Sequence, residues 1–379
     1  MNKKYRKLIR LVLFILLSMF IYTEAIYLGN ILKLHYNSVS IRIDDENSLI
    51  TIKAIEKALE NEKDKEKEVP EVTIWNSNKK NKIYSKDIYN DDAINTDYIG
   101  NVQDNIKKIK VQTYEVYGKC QQAYPMELYC GSFLIKDDIY GCIVDENTCY
   151  DLFGTKNVVG NPIVLNEKIY YIRGVAKIDN PSIIVQVDDE KYKFSNIEIV
   201  YSNDERGKEF AEKFMLENGL GEDYVIYDCE FYVKLVEKAV KIPIWIIAIF
   251  FIKKFLEIIY VNIGELKNNE DKKISIINIF LCSLIVILII YVSKFEFYYP
   301  LRMIPSKWSD FKFWIDKIDE VKLLIYKFTY TFPYPRDILL IKNLKMVILC
   351  IILSCINVVV LLKHRKYLHI FYKDKEILL

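Results

Sequence analysis

Apolar runs of membrane length, separated by a long polar stretch, restrict what this chain can fold into more than any other feature. A helix needs about 20 apolar residues to cross the hydrocarbon layer. Leu11–Leu32 is broken only by Glu24, and Ile274–Val292 and Met346–Leu362 carry no charge at all. A fourth run, Ile242–Ile263, has an uninterrupted core only to Ile252, after which Lys253, Lys254 and Glu257 intervene. It reads either as a span whose lysines reach back to the membrane surface or as a helix lying at the interface. If Val233 to Ile252 form one continuous helix, its membrane part begins near Val236.

Charge sets the orientation. The first ten residues hold five basic side chains and no acid, which places the N-terminus in the cytoplasm. A cleaved signal peptide is the competing reading, disfavoured because the run is long and no small-x-small cleavage site is evident near Thr23-Glu24-Ala25. The layout that follows is a cytoplasmic segment 1–10, a span 11–32, an extracytoplasmic domain 36–232 and a second span with its stalk at 236–256. A cytoplasmic loop 257–273, a span 274–292, an external loop 293–345, a span 346–362 and a cytoplasmic tail 363–379 complete it. The external loop carries ten Lys and Arg against six Asp and Glu from 294 to 345, an excess that runs against its assignment. Ser309 is positioned to cap an amphipathic helix there, with Phe311, Ile315, Ile318, Ile325 and Phe328 on one face. That helix can lie on the membrane surface or pack into the fold.

The domain reads as mixed α and β. Ser48 precedes a short amphipathic helix through Leu49, Ile52, Ile55 and Leu59, ending in the charged run Glu60–Glu68. Strands are expected at 72–75, 110–117, 139–144, 163–165, 169–175, 183–187 and 197–201. Glu205–Asn218 is a second helix, stopped by Gly219 and Gly221, with Phe210, Phe214 and Met215 on one face. Between 143 and 175 the pattern is denser. Asn147–Gly154 reads as helical turns with Leu152 and Phe153 facing inward and Gly154 in the left-handed position, and Gly160 supplies a turn. Strand, turn and strand follow around Asn166-Glu167-Lys168.

In order and spacing, Gly131 and Phe133, Ile143 to Asp145, Leu152-Phe153-Gly154, Val159-Gly160-Asn161-Pro162-Ile163 and Ile172-Arg173-Gly174-Val175 resemble the extracytoplasmic core domain of MacB/FtsX-type ABC transporter permeases. Cys149 stands where that family usually has a small residue. The resemblance implies four transmembrane helices with a two-lobed α+β extracytoplasmic domain between the first and second. It also implies a noncatalytic permease subunit in the cytoplasmic membrane of a bacterium, paired as a homo- or heterodimer and set among membrane lipid. ATP would be bound by a separate cytoplasmic ABC ATPase, with motion carried through stalks near Leu28–Tyr36 and Phe231–Lys241. The chain departs from the family between the second and third spans, where a coupling helix is usual. Only Glu257–Lys273 is available, and Gly264 weakens a helix through it. The expected docking contact is Glu257, Glu265 and Lys267 around Ile263 and Leu266.

Composition narrows the chemistry. The chain is 51% hydrophobic with a net charge of +2, which gives no reason to expect a nucleic-acid partner. The histidines are His35, His364 and His369, so a histidine-based triad in the domain is excluded and zinc is disfavoured. No phosphate-binding loop occurs, since Gly118-Lys119 lacks the first glycine and the hydroxyl residue, so the chain is not its own ATPase. Asp137, Asp138 and Asp145 read as turn acids rather than a carboxylate hydrolase site. Neither a resident cofactor nor an enzymatic activity is expected. Five cysteines fall outside, Cys120, Cys130, Cys142, Cys149 and Cys229, which admits a 142–149 or 120–130 disulfide. The rival function is a membrane-anchored sensor or interaction protein without an ATPase.

Overall fold

The computed structural model describes residues 3–43, 49–65, 69–85, 108–201, 207–221, 224–267, 272–293, 307, 309–326 and 334–373. Side chains of 3–11, 79–80, 265–267, 272–275, 292–293, 324 and 363–373 lie outside that description. The chain divides into two compact units, one of Leu34–Tyr232 with Leu323–Leu340, the other of Met1–Lys33, Val233–Lys322 and Ile341–Leu379.

The first of these is a mixed α+β unit built on one sheet. Its elements are β1 (Val39–Ile43), β2 (Ile50–Thr51), α2 (Ile52–Asp64), β3 (Glu71–Ser85), β4 (Ile109–Tyr117), α3 (Cys120–Ala123), β5 (Glu127–Gly131), β6 (Gly141–Asp145) and α4 (Glu146–Phe153). Then come β7 (Pro162–Leu165), β8 (Lys168–Lys177), β9 (Ser182–Gln186), β10 (Lys193–Phe194), β11 (Asn196–Val200), α5 (Gly207–Glu217) and β12 (Tyr224–Asp228). Among the described residues the main sheet has ten strands in the order β12-β1-β11-β3-β4-β9-β6-β8-β5, with β7 joining β3 and β8. Only β4–β9 and β6–β8 run parallel.

One long strand, β3, runs through both halves of the sheet. β3 pairs β11 with its first five residues and β7 with its last three, bending at an irregularity between Asn78 and Asn81. The polar run that hides this strand in the sequence is satisfied locally. Asn76 Nδ2 donates to the Lys193 carbonyl at 2.7 Å and Asn81 Nδ2 to Thr113 Oγ1 at 3.0 Å.

Strand alternation sorts the apolar residues. On β6, Cys142 and Val144 join one cluster with Ile172, Ile183 and Val185, while Ile143 joins another with Trp75, Tyr114, Val116 and Ile184. A third cluster at the β1 end gathers Val39, Ile41, Ile197 and Ile199 under α2 and α5. The expected cap Ser48 lies outside the described residues; Thr51 caps α2, its Oγ1 accepting from the Ala54 amide at 3.3 Å. Gly219 ends α5 at φ 62°, and the Leu220 amide returns to the Met215 carbonyl at 2.9 Å. The β7–β8 hairpin turns on Asn166 (φ 49°) and Glu167 (φ 66°), the two left-handed positions of a two-residue loop.

The helical unit draws on α1 (Lys3–Tyr36), α6 (Cys229–Ala239), α7 (Ile242–Lys267), α8 (Lys272–Ser293), α9 (Phe311–Tyr326) and α10 (Pro335–Lys373). Two segments of the described helices, not four, are long and apolar enough to cross a bilayer, Val12–Tyr36 and Pro335–Leu362, with a shorter apolar stretch at Ile276–Tyr291. Within this unit α1 and α6 meet: Lys33 Nζ pairs with Glu237 Oε1 at 3.1 Å. A Cβ on Gly29 would lie 3.5 Å from Val240.

Four sequence expectations change here. Val233–Ile252 is not one helix, because α6 ends at Ala239 and α7 begins at Ile242; Pro243 has no N–H for the carbonyl four residues back and its ring clashes with it. Residues 257–267 are not loop, since α7 continues through Gly264, where a Cβ would meet open space. The last helix starts at Pro335 rather than after Lys345, with Pro335 in the first turn and Asp337 beside the N-terminal dipole. Asp310, not Ser309, caps α9, its Oδ1 accepting from the Phe313 amide at 3.2 Å. Along the α7–α8 hairpin, Asn278 Nδ2 donates to Asn262 Oδ1 at 3.3 Å, a polar link between otherwise apolar helices.

Candidate functional site

The residues of the sequence motif build the sheet rather than converge on a site. Gly131 and Gly174 are directly opposed across β5 and β8. A Cβ on Gly131 would collide with the Arg173 carbonyl, and one on Gly174 would sit 2.7 Å from the Ser132 carbonyl oxygen, so the strands approach only without side chains. Asp145 is fully buried and caps α4, one carboxylate oxygen accepting from the Thr148 amide and the other from the Ser182 amide, both at 2.8 Å. Gly154 closes α4 at φ 71° and Gly160 turns the chain at φ 91°. Leu152 and Phe153 are half-buried against the Cys142 cluster; the fully enclosed α4 residues are Thr148 and Cys149. Phe133 packs on the other cluster, with Trp75 and Tyr114.

All eight cysteines are free thiols. Cys120 lies in the Trp75 cluster and Cys130 packs on the Cys142 cluster, which separates that candidate pair. Cys142 and Cys149 share a cluster without bonding, and burial pushes the Cys149 thiol up to about 12. Asp138 is engaged by Arg173, whose Nε donates at 2.8 Å. Among the described residues no group of three or more His, Cys, Asp or Glu side chains converges to hold a metal.

Of the expected docking residues, Glu257 pairs with Lys254 one turn back and Ile263 is 44% exposed. The side chains of Glu265, Leu266 and Lys267 lie outside the described residues.

The densest polar chemistry was not visible in the sequence. On β1 the apolar residues Val39, Ile41 and Ile43 face a core cluster, and alternation sends Ser40 and Arg42 to the opposite face. Directly across from Ser40 stands Glu198 on β11. A polar strand face of this kind normally meets water. Here Arg336 and Asp337, in the first turn of α10, cover it, and Arg42, Glu198, Arg336 and Asp337 are all fully buried.

The four charges form a closed and neutral quartet. Arg42 Nε and Nη2 grip both oxygens of Asp337 at 3.1 and 2.9 Å, and Nη1 reaches Glu198 Oε1 at 2.9 Å. Arg336 Nη2 meets Glu198 Oε2 at 3.0 Å and Nη1 meets Asp337 Oδ1 at 3.3 Å. Remaining donors and acceptors are used as well. Arg336 also donates to the Gln122 carbonyl at 2.7 Å and to Ser40 and Ser38 Oγ at 3.1 Å each. Both serine hydroxyls and Trp75 Nε1 donate to Glu198. The Arg42 guanidinium lies 5.1 Å from the centre of the Trp75 ring, and Arg336 5.1 Å from that of Tyr36. Burial opposes the Arg42 charge, and the carboxylates of Asp337 and Glu198 overcome it, raising its pKa above the ordinary arginine value.

Three helix ends meet at this quartet. Tyr36, the last residue of α1, donates its hydroxyl to the Arg336 carbonyl at 3.1 Å. At the start of α6 the Glu230 amide donates to the Ser38 carbonyl at 3.0 Å, and Cys229 Sγ lies 3.4 Å from Ser40 Oγ. Burial raises that thiol to about 12. The start of α10 supplies Arg336 and Asp337 themselves. Since β1 and β12 pair antiparallel, with Val39 opposite Asp228, the end of α1 and the start of α6 leave the sheet as neighbours.

No protein-family model matches the chain, and no curated protein does. Among solved structures, the periplasmic region of MacB from Actinobacillus actinomycetemcomitans is similar at 14% identity and a TM-score of 0.38, covering 54% of this chain and 94% of that one. The extracellular domain of a noncanonic ABC-type transporter, YknZ, from Gram-positive bacteria is similar at 11% identity and a TM-score of 0.36, covering 50% of this chain and 99% of that one.

Proposed function

We propose that this chain is a noncatalytic, multi-pass permease subunit of a MacB/FtsX-type ABC transporter in a bacterial cytoplasmic membrane. In this reading α1, α7, α8 and α10 cross the bilayer, both termini are cytoplasmic, and the mixed α+β unit lies outside. The observation that carries it is the meeting of the ends of α1, α6 and α10 at one buried, fully bonded ion quartet. A rigid node joining several helix ends is what a mechanical transmitter requires: displacement of one helix end reaches the sheet as a body movement instead of being absorbed by a loop. The chain binds no cofactor of its own. A separate cytoplasmic ATPase supplies the motion, docking at Glu257 and Ile263 and at the turn of Glu265, Leu266 and Lys267, and a second permease subunit completes the pair.

One observation favours the sensor reading instead. Because α7 runs unbroken through Gly264 to Lys267, no separate coupling helix lies between α7 and α8 within the described residues. Affinity purification of the full chain from its native membrane separates the two. The permease reading expects an ATP-binding chain in the complex, reduced several-fold by Ile263→Ala with Leu266→Ala while the amount inserted in the membrane is unchanged. Reproducible absence of any ATP-binding chain supports the sensor.

A further inference from the structure

The helix α9 is long enough for four turns, yet its apolar side is open. Phe311, Ile315 and Ile318 recur at the spacing of one helix face and are 76%, 58% and 55% exposed, and Trp314 on the same arc is 37% exposed with its ring against Phe313. Exposed apolar area of this kind on a capped helix marks a surface that meets something other than water. The other side is charged and internally paired. There Lys317 Nζ reaches Glu320 Oε2 at 2.6 Å, while Lys322, one turn past Ile318 at the end of the apolar face, reaches sideways to Asp319 Oδ1 at 3.0 Å. With Lys312 and Asp316 the helix holds three lysines and three acids, a net charge of zero. Six charges in 16 residues rule out a spanning helix.

We infer that α9 lies in the plane of the membrane surface, its Phe311, Ile315 and Ile318 face sunk among the acyl chains below the headgroups. Two observations select lipid over a protein partner. Residues through Lys322 cluster with the apolar helices and not with the α+β unit, although the chain next to them, Leu323–Leu340, clusters with that unit. The open face also matches in kind the flank of α8 in the same unit, where Phe280, Leu284 and Leu288 are 66%, 52% and 54% exposed. Aromatic rings beside aliphatic side chains are the composition of an interfacial helix. A helix of zero net charge predicts, further, that the contact needs no anionic lipid.

The inference requires that the chain sit in a bilayer, not that it couple to an ATPase. A photoreactive amino acid is placed singly at Ile315, Ile318, Asp316, Glu320 and, as a reference, Leu284 of the full chain in phosphatidylcholine vesicles. Mass spectrometry after illumination then reads lipid adducts. Adducts at Ile315, Ile318 and Leu284 are expected at about fivefold or more over those at Asp316 and Glu320, unchanged by salt or by added anionic lipid. Lipid adducts at Leu284 with protein adducts at Ile315 and Ile318 would overturn the inference in favour of a second copy or the α+β unit as occupant. Equal labelling of both faces overturns it too. Absence of lipid adducts at all five positions would remove the membrane placement along with it.

Discussion

Glu198 accepts from two guanidinium groups, two hydroxyls and an indole N–H, all inside the protein. Glu198→Gln preserves the shape but leaves two arginines facing one carboxylate and turns an acceptor into a donor among donors. Removing one partner from a buried ion cluster costs about 3–5 kcal/mol, so the denaturation midpoint of the full chain in detergent should fall sharply; a shift equivalent to less than about 1 kcal/mol would mean that the quartet is open to water. The thiols give a second test at this scale, on the alkaline side. Burial raises Cys120 to about 11 and Cys149 and Cys229 to about 12. Below the ordinary thiol range the proton is held in both folded and unfolded chains, so the thiols contribute no pH dependence there. Above it only the unfolded chain ionises, and stability falls as pH climbs from about 9 toward 12. Replacing Cys149 and Cys229 by alanine should flatten that fall, measured as denaturation midpoint against pH, because tyrosines and lysines titrating in the same range remain in both proteins.

At the scale of the element, α7 departs most from its residues. Gly264 is a weak helix former, and the chain is helical there anyway, with empty space where a side chain would go. Gly264→Ala should therefore strengthen α7 by about 0.5–1 kcal/mol, seen as slower amide exchange between 257 and 267; faster exchange would place a functional break there. Local rules did find α4, since an acid before a helical turn and a glycine after it act within a few residues of each other. Gly131 and Gly174 were likewise legible as fixed points, though not that they face each other. Arg42 was not legible. On a five-residue strand with alternating apolar residues, a polar side chain is correctly read as pointing away from the core, and what covers it comes from far along the chain. The cover itself has a local signature, Pro335 followed by Asp337, which marks a helix start, whereas the uncharged run begins eleven residues later at Met346. Leu152 and Phe153 do face inward, onto the Cys142 cluster, but they are only half-buried there, and the enclosed positions of α4 are Thr148 and Cys149.

For the whole molecule, the α+β unit is not one continuous stretch. Residues 34–232 supply the sheet, but the charges on the polar face of β1 and β11 are paired by Arg336 and Asp337, from far along the chain. A fragment of 34–232 should melt far below one in which 323–340 is joined to it by a flexible linker; equal melting of the two would show that the last segment adds nothing to the fold. The same discontinuity imposes an order on biosynthesis. Arg336 leaves the ribosome roughly 140 residues after Glu198, a delay of roughly seven to thirty seconds at about 5–20 residues per second. Throughout that interval the nascent unit holds one arginine and one glutamate on an open face, and it closes only when the chain has been made as far as α10. Completion of the quartet thus reports that translation has passed the hydrophobic hairpin, and a product cut short before Pro335 displays an unfinished polar surface on which cellular proteases can act.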